Sequence, residues 1–301
     1  MPLVMAPGAA DPIGLEALDD ALATARLDSS DDDAFASLGP LLAQLGRNRT
    51  FLGDLAVAEL SARGRAAVPR GAGYGPQVMI LRPSDGRFLV RANFWPAAED
   101  AVLRASGPEA FFYGFPHDHD FAFLTYGYLG PGYWSDYYEA DPARITGVPG
   151  APAHLRFVER ARLEPGRLML YRAHRDVHVQ APPDAFSVSL NILRHDPGQP
   201  WRDQYRFDIA GNRVAANLSV TSAEALVAIA AQLGGNGTDI AAYLFRTHPC
   251  ARMRVTALDA LIAASGGEDA LAWAEAGARA TDARVAGHAE RWIARALQRN
   301  G

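Results

Sequence analysis

The sequence predicts an α+β protein in which a short-stranded antiparallel barrel lies between an N-terminal and a C-terminal helical region. Three observations predict it. Apolar residues recur at helical spacing before about residue 65, short β-rich runs fill residues 71–193, and alanine-rich amphipathic segments follow residue 222. With 301 residues, 49% of them hydrophobic, the chain is long enough to bury a substantial core. We therefore expect three parts, at residues 1–70, 71–198 and 199–301.

The N-terminal part has leucines at positions 15, 18 and 22 and again at 38, 41, 42 and 45, which is the spacing of amphipathic helices. The central part has β-rich runs at residues 78–81, 88–94, 121–128, 155–159, 168–171 and 186–193. Glycine and proline separate these runs, as is typical of an antiparallel sandwich or barrel.

The C-terminal part begins with a loop that contains Trp201, Tyr205 and Phe207, and helical patterns follow at residues 223–233, 253–264 and 283–297. The stretch from His248 to Leu261 resembles a HEAT-type helical hairpin, and a generic helical bundle is the alternative. We expect these helices to mediate any homo-oligomer or protein partner.

Composition excludes several function classes. All 29 basic residues are arginine, so Schiff-base, pyridoxal-phosphate and Walker A chemistry lack their lysine. The single cysteine, Cys250, excludes intrachain disulfides and multi-cysteine zinc sites. A net charge of −5 gives no general attraction for nucleic acid or an anionic membrane. The sequence has no signal-peptide pattern and no membrane-length apolar run, which predicts a cytoplasmic protein.

The histidines are the main candidates for a functional site, because four of the eight form two close pairs in sequence, His117 with His119 and His174 with His178. Side chains two apart on a strand share one face, so His117 and His119 would lie side by side. Two such imidazoles can hold one metal ion. A pair of surface histidines is the plainer interpretation if no third ligand exists, but the second pair offers one.

At these residues the sequence resembles the cupin superfamily. The resemblance covers about residues 78–193 and depends on Gly114 with His117-Asp118-His119, Gly127, Gly130, Gly132, the Pro165-Gly166 turn, a later histidine and Asn191. It implies a cupin-type double-stranded β-helix barrel with a mononuclear metal.

The resemblance also implies a ligand set, in which His117 and His119 are the first two metal ligands and His178 is the third. His174 is the competitor for the third place, or else an outer residue that supports the ligands or donates to the substrate. The glutamate that the family usually carries falls on an apolar position here, Phe123 or Leu124. Glu139 is an alternative source of a carboxylate ligand.

Three neutral histidines leave the metal dicationic, which suits Fe(II) with dioxygen and a chelating anionic substrate, as in the cupin thiol and diketone dioxygenases that the site resembles. Nickel, zinc, manganese and copper are the other divalent metals such a site accepts.

Several further residues are candidates for the substrate cavity. Phe121 and Phe123 share the parity of the two histidines, so we expect them to line the cavity and keep it dry. Asn191, Arg172 and Arg175 are candidates to bind substrate, the arginines through a carboxylate. Candidate acid, base or oxygen-stabilising groups are His174, Tyr113, Tyr126 and Tyr171.

The leading functional hypothesis is a mononuclear non-haem Fe(II) oxygenase that acts on a small molecule or peptide with dioxygen. A 2-oxoglutarate-dependent hydroxylase on the same barrel is the first alternative, although that class uses a His-x-Asp/Glu pair where this chain has His119. A non-catalytic metal-binding cupin whose helices dock a partner is the second.

Overall fold

The computed structural model describes residues 1–26, 31–63 and 77–300, so the predicted boundary between residues 70 and 71 lies outside the described residues. The chain divides into two compact units. One comprises residues 1–142 and 155–199, and the other comprises residues 143–154 and 200–301.

The first unit begins with β1 and four helices and continues with eight strands and a short helix. Its N-terminal elements are β1 (Leu3–Met5), α1 (Leu15–Thr24), α2 (Asp32–Ala36), α3 (Gly39–Arg47) and α4 (Phe51–Arg63). The remaining elements are β2 (Val78–Arg82), β3 (Phe88–Trp95), α5 (Ala101–Ser106), β4 (Phe123–Leu129), β5 (Trp134–Glu139), β6 (Arg156–Arg162), β7 (Leu168–Tyr171), β8 (Asp176–Ala181) and β9 (Ser187–Arg194). Each predicted β-rich run overlaps one of these strands.

These strands form two antiparallel sheets. The larger has the order β1-β7-β4-β9-β3-β2, and the smaller has the order β6-β5-β8. His117 extends the smaller sheet through an antiparallel bridge to His178 of β8. Strands that alternate between two sheets in this order form the double-sheet jelly roll that cupins share. The prediction of an α+β protein with a cupin-type double-stranded β-helix barrel is therefore confirmed.

The larger sheet is covered on both faces, which follows from the alternation of its side chains. In β9, Val188, Leu190 and Ile192 join the core that also contains Leu18 and Leu42 of the N-terminal helices. Leu193 joins a second core on the opposite face. That second core is rich in aromatic residues and lies among strands of both sheets, with Trp95, Phe111, Tyr113, Phe123, Tyr133, Tyr137, Met169 and Tyr171 among its members.

A close backbone contact fixes the turn between β6 and β7. A Cβ atom at Gly127 would lie 2.0 Å from the carbonyl oxygen of Glu164, so only glycine fits there. The amide of Gly127 donates to the Arg167 carbonyl, and the amide of Gly166 donates to the Gly127 carbonyl. The Pro165-Gly166 turn thus packs directly on β4.

The second unit contains a hairpin followed by five helices with a common apolar core. Its elements are β10 (Tyr205–Asp208), β11 (Arg213–Asn217), α6 (Ser222–Leu233), α7 (Asn236–Thr247), α8 (Ala251–Ala264), α9 (Gly267–Ala278) and α10 (Ala283–Asn300). The predicted loop before Ser222 therefore contains a β-hairpin, while the HEAT-type resemblance stays a prediction. Among the described residues, no helix is both long and apolar enough to cross a membrane.

Candidate metal centre

Backbone pairing between two distant segments brings the histidines together. The amide of His117 donates to the His178 carbonyl over 3.2 Å, and the amide of His178 donates to the His117 carbonyl over 3.1 Å. The predicted strand around His117 is limited to this single bridge. His117 and His119 nevertheless present their rings to the same place.

The three imidazoles converge on one point. The Nε2 atom of His178 lies 3.1 Å from Nε2 of His119 and 3.3 Å from Nε2 of His117. All three candidate ligand atoms lie within 4.8 Å of one another. Two nitrogens bound at about 2.1 Å to one ion, at roughly right angles, would be about 3 Å apart. The group therefore fits a single metal ion.

The environment keeps these rings neutral, as metal ligation requires. Burial lowers the pKa of His117 and holds the pKa values of His119 and His178 well below the usual range, and the neighbouring rings add to the effect at His119 and His178. Nδ1 of His117 donates to the Phe115 carbonyl over 2.7 Å, because a carbonyl can only accept. This bond leaves the Nε2 lone pair of His117 free for a metal.

Aromatic side chains enclose the group. The ring of His119 lies 5.2 Å from the ring of Phe121 and 4.9 Å from that of Phe123, between centroids. Phe123 in turn stacks on Tyr171 at 4.3 Å. Phe121 and Phe123 therefore lie where their parity predicts, and their contact with a substrate stays a prediction.

His174 lies beside the group but outside it. Its backbone amide donates to the His119 carbonyl over 2.8 Å, and its Nδ1 lies 3.6 Å from Oδ2 of the buried Asp118. His174 adopts a left-handed backbone conformation, with φ of 59°, in the turn before β8. The third ring of the cluster belongs to His178, while His174 contacts a residue between the two other histidines.

The structure separates the three candidate tyrosines. The hydroxyl of Tyr113 donates to the Pro96 carbonyl over 2.9 Å, and burial raises its pKa strongly. Tyr126 lies on the outer face of β4, where its ring packs beside Gly46 of α3. Tyr171 alone of the three has its ring against His178, at 5.1 Å. The histidine group and the candidates Tyr113 and Tyr126 are thus not brought into contact.

Sequence reasoning missed Tyr137, whose hydroxyl lies 3.0 Å from that of Tyr171. Tyr137 is the Cα partner of His178 in the register of β5 with β8, and its ring is parallel to that of His178. Burial raises the pKa values of both tyrosines. Only strand pairing could have revealed this neighbour.

Of the two predicted carboxylate-binding arginines, Arg172 is bound by carboxylates of the chain itself. Arg172 donates to both carboxylate oxygens of Asp176, from Nε over 3.1 Å and from Nη2 over 2.7 Å, and also contacts Glu139. Arg175 is exposed in the turn before β8. Glu139 pairs with Arg156 as well, so it is not part of the histidine group.

Asn191 is buried on the inner face of β9. It is the Cα partner of Arg91 on one side and of Thr125 on the other. Arg91 is the second residue that sequence reasoning missed. Alternation indicates that Arg91 lies on the opposite face of β3 from Val90 and Ala92. It does not indicate which of the two faces is the inner face of the barrel.

No protein-family model matches the sequence, and no curated protein matches it. A chain from the structures of the DMSP lyases RdDddP and RnDddQII is 14% identical, with a TM-score of 0.26 and a match that covers 48% of this chain and 61% of that one. DMSP lyase DddQ from Ruegeria pomeroyi DSS-3 is 12% identical, with a TM-score of 0.23 and coverage of 65% and 79%. The vicilin from Solanum melongena is 10% identical, with a TM-score of 0.26 and coverage of 46% and 32%.

This chain therefore spans less than two thirds of the first of these chains and about a third of the vicilin. All three likenesses are distant, and the fold assignment depends on the strand order itself.

Proposed function

We propose that this protein is a mononuclear non-haem Fe(II) oxygenase of the dioxygenase type, which acts on a small anionic or amino-acid-like substrate inside the barrel. The observation that carries the proposal is the convergence of three neutral imidazole nitrogens in an aromatic interior. His117, His119 and His178 would hold the metal, which supplies a Lewis-acidic, redox-active centre with open positions for substrate and dioxygen.

The residues of the chain supply the surroundings. Phe121 and Phe123 cover His119 and exclude water from one side of the site, which strengthens polar interactions inside it. The paired hydroxyls of Tyr137 and Tyr171 stay protonated at neutral pH, because burial raises their pKa values. Either Oη atom can therefore donate a hydrogen bond to a negatively charged group beside His178.

The composition of the group favours this function over a 2-oxoglutarate-dependent hydroxylase. Among the described residues, the group that could hold a metal consists of three histidines. The carboxylate nearest to them in sequence, Asp118, contacts His174, and Glu139 is bound by arginines. A site of this type lacks the aspartate or glutamate ligand that the hydroxylases use.

The test combines metal analysis with oxygen uptake. Protein purified without oxygen is analysed for metals, loaded with Fe(II), and supplied with amino acids, thiols, diketones and aromatic acids, with and without 2-oxoglutarate. We expect iron-dependent uptake with one of these classes in the absence of 2-oxoglutarate. A strict requirement for 2-oxoglutarate would favour the hydroxylase, and a lack of uptake with every compound would favour a binding protein.

A further inference from the structure

Three polar residues form a continuous row across the inner face of the larger sheet. Arg91 of β3 is the Cα partner of Asn191 in β9, and Asn191 is the Cα partner of Thr125 in β4. Their immediate neighbours Val90, Leu190 and Leu124 all belong to the core on the outer face. The three polar side chains therefore project together into the barrel.

Each member of the row has a buried polar atom for which the described part of the chain offers no hydrogen-bond partner. These atoms are Nε of Arg91, Nδ2 of Asn191 and Oγ1 of Thr125. Buried polar groups nearly always have partners, because an unpaired one costs about 1–3 kcal/mol. All three atoms can donate a hydrogen bond, so the group that satisfies them together must be an acceptor.

Arg91 also carries an uncompensated charge. Among the described residues, no carboxylate forms an ion pair with it. Other arginines whose buried Nε has no hydrogen-bond partner make bonds or ion pairs through their remaining nitrogens: Arg47, Arg162 and Arg167. Burial lowers the pKa of Arg91 to about 10, so its guanidinium remains charged at neutral pH.

The row lies close enough to the histidines for one small ligand to reach both. Phe123 precedes Thr125 by two residues on the same face of β4, about 7 Å along the strand. The ring of Phe123 contacts that of His119. One side-chain repeat of β4 and one ring contact thus separate Thr125 from His119.

We propose that Arg91, Asn191 and Thr125 form the carboxylate-binding subsite for the substrate. This inference rests on the proposed function for the metal at the other end of the ligand. It narrows the substrate to a small carboxylate with a second, metal-binding group a few atoms away. It also assigns to Arg91 the carboxylate contact that the sequence predicts for Arg172 and Arg175. Asp176 binds the guanidinium of Arg172, and Arg175 is exposed.

The test compares acids with their uncharged amides by isothermal titration calorimetry. Cobalt(II)-loaded protein is titrated under argon with 3-mercaptopropionate, 3-mercaptopropanamide and 2-oxoglutarate, and metal-free protein is titrated with succinate and succinamide. The wild type should bind 3-mercaptopropionate and succinate about 10- to 100-fold more tightly than their amides, as expected for hydrogen bonds to a charged group. Arg91→Gln should remove this difference, and the matched control Arg175→Gln should retain it.

Two milder variants protect the test against misfolding of Arg91→Gln. Arg91→Lys keeps the charge but loses the planar fork, so it should retain part of the preference for acids. Thr125→Val should weaken acid binding by about 2- to 10-fold, as expected for one neutral hydrogen bond. Circular dichroism melting curves establish that each variant folds.

Particular results would overturn the subsite. These are equal affinities of the wild type for acids and amides in both protein forms, an undiminished preference in Arg91→Gln, or a loss confined to 2-oxoglutarate, which would assign the row to a cosubstrate. If the protein takes up no metal but Arg91→Gln abolishes the preference for succinate, the proposed oxygenase function fails while the carboxylate subsite stands.

Discussion

The two faces of the larger sheet use the same strands for different purposes. On the outer face, Leu124, Leu190 and Ile192 are fully buried against the core that contains the N-terminal helices. On the inner face, the adjacent positions hold Thr125 and Asn191, each with one buried polar atom, Oγ1 and Nδ2, that has no hydrogen-bond partner among the described residues. A one-residue step along a strand thus changes the surroundings from saturated apolar packing to unsatisfied polar groups.

The outer face of the sheet therefore stabilises the barrel, and the inner face carries the polar groups of the candidate site. The outer face gains free energy from each buried apolar side chain, at about 1.5–3 kcal/mol for a leucine. The inner face gives up stability, because each unpaired polar group costs about 1–3 kcal/mol relative to a paired one. The expected ligands, a metal and a carboxylate, would recover that cost on binding. Substitutions on the two faces should therefore affect different measurements.

The largest expected effect is on metal binding at the inner face. His178→Ala should weaken metal binding by more than the roughly 100-fold that loss of an outer supporting residue costs, because two imidazoles cannot define a facial site. Metal analysis and competition with a chelator measure it. His174→Ala is the matched control, since His174 lies beside the group without joining it. If His174→Ala loses metal while His178→Ala retains it, the ligand assignment is wrong.

A comparable free-energy change without any effect on metal is expected at the outer face. Leu190→Ala removes a fully buried side chain of β9 and should lower the free energy of unfolding by about 2–5 kcal/mol. Urea denaturation measures this loss, and the metal content of the folded protein should not change. Leu129→Ala, at a half-exposed position of β4, should cost far less. A loss of metal in Leu190→Ala would show that the two faces are not independent.

The pH dependence of stability should originate at the inner face. The pKa values of His119 and His178 in the folded protein lie well below that of an unfolded histidine, near 6.5. Below pH 6.5 the unfolded state therefore binds protons that the folded state does not. The metal-free protein should lose stability as the pH falls from about 6.5, by up to about 1.4 kcal/mol per pH unit for each histidine.

Urea denaturation of metal-free protein at pH 7.5, 6.5 and 5.5 measures this slope. The double variant His119→Gln/His178→Gln should have a shallower slope than the wild type, because it removes the two buried imidazoles whose pKa values the fold lowers. An equal slope in the double variant and the wild type would show that these imidazoles are not held neutral by the fold.

Local pattern was enough to predict the strands and the proximity of His117 and His119. Both predictions depend on side chains that alternate between the two faces of a strand. This alternation also holds around His117, where the predicted strand is a single bridge. The same rule separates Tyr126 from Phe123, because the two positions differ by an odd number and lie on opposite faces of β4. Tyr126 therefore packs in the outer core, and its candidate role stays a prediction.

Strand pairing supplied what the sequence did not contain. Both faces of β3 are covered, so alternation alone does not indicate that Arg91 and not Val90 lies on the inner face of the sheet. Tyr137 joins the site because β5 pairs with β8 in a register that aligns it with His178. Arg172 was a reasonable candidate by position, but Asp176 of β8 binds its guanidinium.

The smallest expected effect on the free energy of unfolding is that of Thr125→Val. It compares a buried hydroxyl without a hydrogen-bond partner with the paired hydroxyl of Ser187. Thr125→Val replaces a buried hydroxyl, which has no hydrogen-bond partner in residues 1–26, 31–63 and 77–300, with a methyl group of similar size. The free energy of unfolding should stay the same or rise by up to about 1 kcal/mol, because a desolvated polar atom is removed and no hydrogen bond is lost.

Ser187→Ala is the matched comparison, since the Ser187 hydroxyl accepts from the Gly132 amide over 3.0 Å and donates to the Ala185 carbonyl over 2.9 Å. Its loss should cost about 1–3 kcal/mol, because a buried amide is left unpaired. Urea denaturation of both variants without ligand measures the difference. If Thr125→Val costs as much as Ser187→Ala, the Thr125 hydroxyl already has a partner in the free protein, and the inner row is a structural feature of the barrel and not a ligand site.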